Sequence, residues 1–252
     1  MTGRIAALFA HPIKGFTPQR VEAAFLEADG RFPGDRLWAV EDGPSGFDPE
    51  RPAHISKSRF TVLAKMAEVA HARTDYDVET GGLKASAPGA ADLSANLNED
   101  AGREAFAAWL SGVLGEAANG PLRVLDGVGH RFLDHPLGHV SVLNLASVRD
   151  FEARLGQPVD PLRFRANILV EGWPAWAEND WTGRELTLGC ARARVFAPIT
   201  RCAAPDVDPT TAQRDIAVTA RLHEFYGHLL CGIYVHITAP GRVAAGEAAE
   251  VA

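Results

Sequence analysis

A chain of 252 residues, 46% hydrophobic and 23% charged, can bury one large or two modest cores, which excludes a disordered chain or a fibre. The balance of 25 Lys and Arg against 32 Asp and Glu gives a formal charge of -7 without a basic tract, so no nucleic-acid partner is expected. Three widely spaced cysteines, Cys190, Cys202 and Cys231, exclude a disulfide framework and a four-thiolate iron-sulfur cluster. A reducing, cytoplasmic setting without a signal peptide is the expectation, and no apolar stretch approaches the roughly 20 residues of a membrane span.

The first segment reads as β-rich. Ile5 to Phe9, Val21 to Leu26, Leu37 to Val40 and Thr61 to Leu63 are short apolar runs separated by Pro- and Gly-bearing stretches. A hairpin is predicted around Thr80-Gly81-Gly82, followed by a small-residue linker from Ala85 to Ala91 that sets a domain boundary at 88/89. The spacing of Phe106, Trp109, Leu110, Val113 and Leu114 predicts a helix over Glu99 to Leu114, with Asn98 available as its cap.

After a strand at Val140 to Leu143, a second helix places Leu145, Val148, Phe151 and Leu155 on one face and stops at Gly156. Arg163 to Val170 reads as a strand. Alternation then puts Arg163, Arg165 and Asn167 on one face. Trp173, Trp176 and Trp181 follow, either in the core or at a substrate mouth. Glu185 to Leu188 and Arg192 to Phe196 form a hairpin across Gly189-Cys190, Val218 to Phe225 a short helix, and Gly232 to Ile237 a closing strand.

The chemistry concentrates at Pro198-Ile199-Thr200-Arg201-Cys202. Arginine's planar fork suits phosphate, carboxylate or a polar heterocycle edge. Neighbouring positive charge also favours the thiolate that binds metals or attacks electrophiles. The bland alternatives are a buried cysteine acting as a small hydrophobe and basic side chains solvated at the surface. His130, His135 and His139 lack the helical spacing of a zinc site, and Pro136 interrupts them.

Arg163-Phe164-Arg165-Ala166-Asn167, Trp176-Ala177-Glu178-Asn179-Asp180-Trp181, Thr200-Arg201-Cys202 and Val207-Asp208-Pro209, in this order and spacing, resemble a MOSC domain. His11-Pro12-Ile13-Lys14 and Gly34-Asp35-Arg36-Leu37-Trp38 resemble the N-terminal β-barrel domain that precedes it in the amidoxime-reducing component and its bacterial relatives. The resemblance implies a mainly β (α+β) fold: an N-terminal β-barrel domain at 1–88 packed on a MOSC domain at 89–252, with Lys14 and Arg36 facing Cys202 across the interface.

It further implies a molybdenum-molybdopterin cofactor with Cys202 as the catalytic metal ligand, a soft thiolate suited to that metal. Lys14 and Arg36 would contact the cofactor phosphate, Arg165 and Asn167 the pterin, and Thr200 and Arg201 the region of the metal. Lys57, Asn144 and Arg163 complete the implied cofactor-binding set. Gly15 and Asn144 stand where relatives often carry serine, leaving a backbone N–H and an amide as the donors. The implied activity is reduction of an N-hydroxylated small molecule, with electrons from a separate donor protein because no dinucleotide fingerprint is present. Two alternatives follow from the same family: a sulfur carrier with a persulfide on Cys202, since MOSC domains also occur fused to pyridoxal-phosphate desulfurases, or a non-catalytic module binding a pterin or other anion.

Overall fold

The structure, a computed structural model, describes residues 1–252. In chain order its strands are β1 (Thr2–Ala10), β2 (Gln19–Val21), β3 (Ala23–Leu26), β4 (Trp38–Asp42), β5 (Arg73–Tyr76), β6 (Gly82–Ser86), β7 (Leu93–Asn96) and β8 (Leu122–Asp126). They continue as β9 (Val140–Asn144), β10 (Ile168–Glu171), β11 (Glu185–Leu188), β12 (Ala191–Thr200), β13 (Leu230–Ala239), β14 (Gly241–Ala244) and β15 (Ala248–Val251). Three α-helices interrupt them: α1 (Asp100–Leu114), α2 (Leu145–Leu155) and α3 (Val218–Tyr226). No helix is long and apolar enough to cross a membrane. The mainly β architecture expected from the sequence is the one observed.

Seven strands close a barrel in the order β10-β9-β13-β12-β11-β15-β1, with β1 returning to β10 and β2 extending from β1. Period-two alternation drives closure. Along β12, Ala191, Ala193 and Val195 are buried while Arg192, Arg194 and Phe196 point outward. With Leu186, Leu188, Ile233, Val235, Ile237 and others, the inward residues form a core of 22 buried side chains. At about 1.5–3 kcal/mol for each large apolar side chain removed from water, this core is the main source of the barrel's stability.

The second unit is built on β4 paired with β8 and on the three-stranded sheet β5-β6-β7. Helix α1 covers it with Phe106, Ala107, Leu110 and Leu114, positions that recur every three or four residues and so share one face. The division expected at residue 88 does not follow this packing. Helix α1 and β8 belong to the same core as Ile13, Trp38 and Leu83, whereas β1 is a stave of the barrel. Apolar faces, not the small-residue loop at 87–92, decide where the units part.

Three local expectations are corrected. Thr61 to Leu63 is not a strand, although Phe60 makes an isolated bridge to Glu41. Glu99 rather than Asn98 precedes α1, without a side-chain cap bond, and the Asn98 amide instead donates to the Thr80 carbonyl. The most consequential correction concerns Arg163 to Asn167. Asp160 caps a 3-10 turn at Pro161–Phe164, Arg165 takes a left-handed conformation at φ 52°, and extended structure begins only at Ile168. Pro161 and the Asp160 cap favour the tight turn over the strand implied by alternation.

Candidate functional site

Two consecutive residues at the end of that turn, Phe164 and Arg165, anchor the site, and Arg165 ties the two units together. The Phe164 carbonyl accepts from Arg201 Nη1 at 2.7 Å, and the Arg165 carbonyl from Arg36 Nη2 at 3.3 Å. Arg165 Nη1 donates to the Phe16 carbonyl at 2.7 Å. Arg36 is also left-handed, at φ 47°, with its backbone N–H bonded to the His11 carbonyl and its guanidinium paired with the buried Asp35 carboxylate. Non-glycine residues in this region cost of order 1 kcal/mol or more each, so the surroundings over-determine both arginines.

These residues border a cavity of about 370 Å³ that Cys202, Thr200, Arg201, Lys57 and Asp134 also line. A small annex of about 40 Å³ reaches from Cys202 to Lys14 and Gly15. Gly15 has φ 93°, and a Cβ there would lie 2.5 Å from the Thr61 carbonyl oxygen, so close backbone approach leaves no room for a side chain at this position. Lys14, Arg36, Lys57, Arg165 and Arg201 set five cations against the carboxylates of Asp35 and Asp134, an excess of three positive charges.

Three arginine donors in this wall lack a protein partner: Nη2 of Arg165, Nη2 of Arg201 and Nε of Arg163 are buried without a hydrogen bond. Arg201 is otherwise fixed, with Nε donating to the Cys231 carbonyl at 2.7 Å and its guanidinium 5.2 Å from the Phe164 ring. Burial, followed by repulsion from Arg36, pulls the Arg165 pKa down to about 9; burial also lowers that of Arg201. Burial lowers Lys14, and its Nζ donates to the Phe132 carbonyl at 2.8 Å and to Asp134. Burial likewise works against the Lys57 ammonium, but Asp134 and then the Cys202 thiol hold it above its usual value. Burial would raise the Asp134 carboxyl, yet Lys14 and Lys57 keep it well below the usual carboxylate range.

Cys202 is half-buried and faces both spaces. Cys231 is fully buried, its thiol pushed up to about 12 by desolvation, and Cys190 is exposed at the turn between β11 and β12. Of the three sulfurs, Cys202 alone combines access with cationic neighbours.

The opposite end of the cavity is aromatic. His139 stacks on Phe196 at 4.0 Å, and His135 packs edge-on to Phe196 at 5.1 Å and lies 5.8 Å from Tyr234. Burial, then His135 and His236, lower the His139 pKa to about 4, so His139 is uncharged at neutral pH. Asp134, His135, His139, Phe196 and Tyr234 were absent from the sequence-predicted set. The legible signal was outward-facing Phe196 and Tyr234 on the neighbouring strands β12 and β13.

The structure brings Lys14, Arg36, Lys57, Arg165, Thr200, Arg201 and Cys202 together. It does not bring Asn144: that side chain caps α2, accepting from Ala146 N at 3.0 Å and donating to Glu178 at 2.8 Å, fully buried away from the cavity. Asn167 lines the wall, but its oxygen accepts from Ser141 Oγ at 2.8 Å and its amide donates to the Phe9 carbonyl at 3.2 Å. Arg163 faces the cavity with its terminal donors engaged by Asp208 and Asp215. Trp173 and Trp181 pack in the barrel core, and Trp176 bonds Asp150; none lines the cavity.

Residues 130–250 match the model of the MOSC domain, and residues 2–118 that of the MOSC N-terminal beta barrel domain. A mitochondrial amidoxime-reducing component 1 of Mus musculus is 29% identical over 118 residues, 42% of this chain and 34% of that protein. A molybdenum cofactor sulfurase of Homo sapiens is 40% identical over 63 residues, 25% of this chain and 7% of that protein. A mitochondrial amidoxime reducing component 2 of Bos taurus is 25% identical over 236 residues, 84% of this chain and 69% of that protein. The first two alignments thus span about a third and less than a tenth of the relatives' lengths.

Proposed function

The chain belongs to the MOSC domain family, with the family's N-terminal barrel domain in front, and from that premise we propose that it binds a molybdenum-pterin cofactor and reduces N-hydroxylated small molecules. The observation that carries the reading is the pair of buried, unpartnered guanidinium donors of Arg165 and Arg201 beside the half-buried Cys202 thiol. A buried donor without an acceptor costs about 1–3 kcal/mol, and an anionic ligand relieves that cost at both positions.

The donor set fits the cofactor. Cys202 supplies a soft ligand, and Arg36, Lys57, Arg165 and Arg201 supply charge and N–H groups for phosphate and pterin oxygens. When bound, the cofactor supplies two-electron removal of oxygen, converting R–NH–OH, two electrons and two protons to R–NH2 and water. Electrons come from a separate one-electron donor protein in this reading. In this reading the chain's own residues flank the half-buried Cys202, fix the anionic end of the cofactor and offer the Phe196, Tyr234 and neutral His139 rings to a planar substrate. Similarity to the sulfurase favours a second reading, in which Cys202 carries a persulfide and needs no metal.

Protein from a host that makes the cofactor separates these readings by elemental analysis for molybdenum with pterin fluorescence. The first expects metal and pterin in equal amount, and reduction of a hydroxylamine or amidoxime only after a separate electron donor is added. Absence of both from such protein overturns it. A Cys202 persulfide mass gained from a desulfurase and cysteine without molybdenum supports the second.

A further inference from the structure

Arg163 was grouped with Arg165 by sequence, and its surroundings set it a different task. The residue is 3% exposed, its Nε is buried without a hydrogen bond, and its terminal nitrogens grip the Asp215 carboxylate at 2.8 and 2.7 Å. Nη2 also donates to Asp208 at 2.8 Å, and Nη1 lies 3.3 Å from the Pro205 carbonyl and 3.4 Å from that of Asp206. All four partners belong to the segment that follows Cys202.

That segment has little regular structure of its own. After a 3-10 turn at Ala204–Asp206, Asp208 accepts from Thr210 N and Thr211 N at 2.7 Å, and Val207 bridges Arg214. Arg214 then crosses to the Leu63 carbonyl at 2.7 Å, beside the Lys14 annex. Short loops of this kind open at low free-energy cost unless tied down. Arg163 is the tie. It lies two residues from Arg165, so the bidentate grip on Asp215 sets the Cys202 segment against the backbone that presents the unpartnered donor.

We infer that Arg163 is a positioning residue: through Asp208 and Asp215 it holds the Cys202 thiol in register with Lys57 and Arg165. The inference rests on the reading of Cys202 as the reactive group, but it concerns the thiol's placement and does not require molybdenum.

The test reads that placement on the full chain without cofactor. Cys202 alkylation by iodoacetamide is followed by mass spectrometry of the peptide that carries it, which separates it from exposed Cys190. In the otherwise native protein, Lys57→Met removes a neighbouring positive charge and slows Cys202 alkylation by about fivefold. In Arg163→Lys, which keeps the charge but loses the fork, the same Lys57→Met change has less than about a twofold effect, because thiol and ammonium no longer hold their spacing. Asp215→Asn weakens the grip from the exposed side and gives the same uncoupling, which decides the matter should Arg163→Lys fail to fold.

Loss of stability alone lowers the melting temperature and leaves the Lys57 dependence of the folded protein intact. A full fivefold effect of Lys57→Met in folded Asp215→Asn therefore overturns the inference. So does the absence of any Lys57→Met effect in the native background, since no coupling then exists for Arg163 to maintain. Failure of the cofactor reading appears in metal and pterin content, not in these rates.

Discussion

The two ends of the cavity are built by opposite rules. At the Cys202 end, buried guanidinium groups are left with unpartnered donors, an arrangement unfavourable to the empty protein. At the Phe196 end, His139 stacks on Phe196 with its Nε2 also buried and unpartnered, and burial keeps the imidazole neutral. The first end presents cationic donors, and the second presents aromatic faces and a neutral imidazole nitrogen. Under the proposed function, the cationic end takes the resident anion and the aromatic end the transient substrate.

Cys202→Ser is the sharpest break of that contrast. A hydroxyl is a poor soft-metal ligand, so N-hydroxylamine reduction is expected to fall by more than about 100-fold and molybdenum content to collapse, while circular dichroism stays native. Full activity at unchanged metal content in this variant removes both the metal-ligand and the sulfur-carrier roles. Arg165→Met comes next. Losing one buried donor and its charge is expected to cut pterin retention by roughly 10-fold or more without unfolding the chain, as measured by pterin fluorescence after dialysis.

Phe196→Ala probes the other end, and retention of pterin is expected to be unchanged. The KM for an aromatic hydroxylamine should rise by about three- to tenfold through lost stacking, with a smaller change for an aliphatic one. Equal changes for both substrates, or loss of pterin, break the assignment of the two ends.

Acid acts on the aromatic end by linkage. His139 titrates near 4 in the folded chain against about 6.5 unfolded, so the unfolded state takes up the proton first as pH falls. Its contribution to stability is intact above about pH 6.5, declines between 6.5 and 4, and is then flat, a loss of at most about 3 kcal/mol. Denaturant titrations at pH 7 and pH 4.5 should show this component shrink in His139→Phe; an unchanged difference refutes it. The smallest functional effect belongs to Asn144→Ala. Removing the α2 cap and a partner of Glu178 is expected to cost about 1–3 kcal/mol in stability. Pterin retention should stay level, and a fall beyond that of Arg165→Met would return Asn144 to the site.

What the sequence determined alone was whatever repeats locally. The alternation along Ala191 to Phe196 specifies a stave with an inner and an outer face, and the spacing of Phe106, Leu110 and Leu114 specifies a helix, because side-chain direction follows the backbone period. The cysteine of interest was also legible, since Arg201 is its neighbour in the chain. The fates of Arg163 and Arg165 were not. Two residues apart and alike in chemistry, they differ because Asp208 and Asp215 arrive from more than forty residues downstream to neutralise one, while Phe16 arrives from the second unit and satisfies only part of the other. Asn144 was misjudged for the same reason, its amide being claimed by Glu178 across 34 residues. Charge at a position is written in the sequence; whether it remains available to a ligand is decided by partners that only folding brings within hydrogen-bond reach.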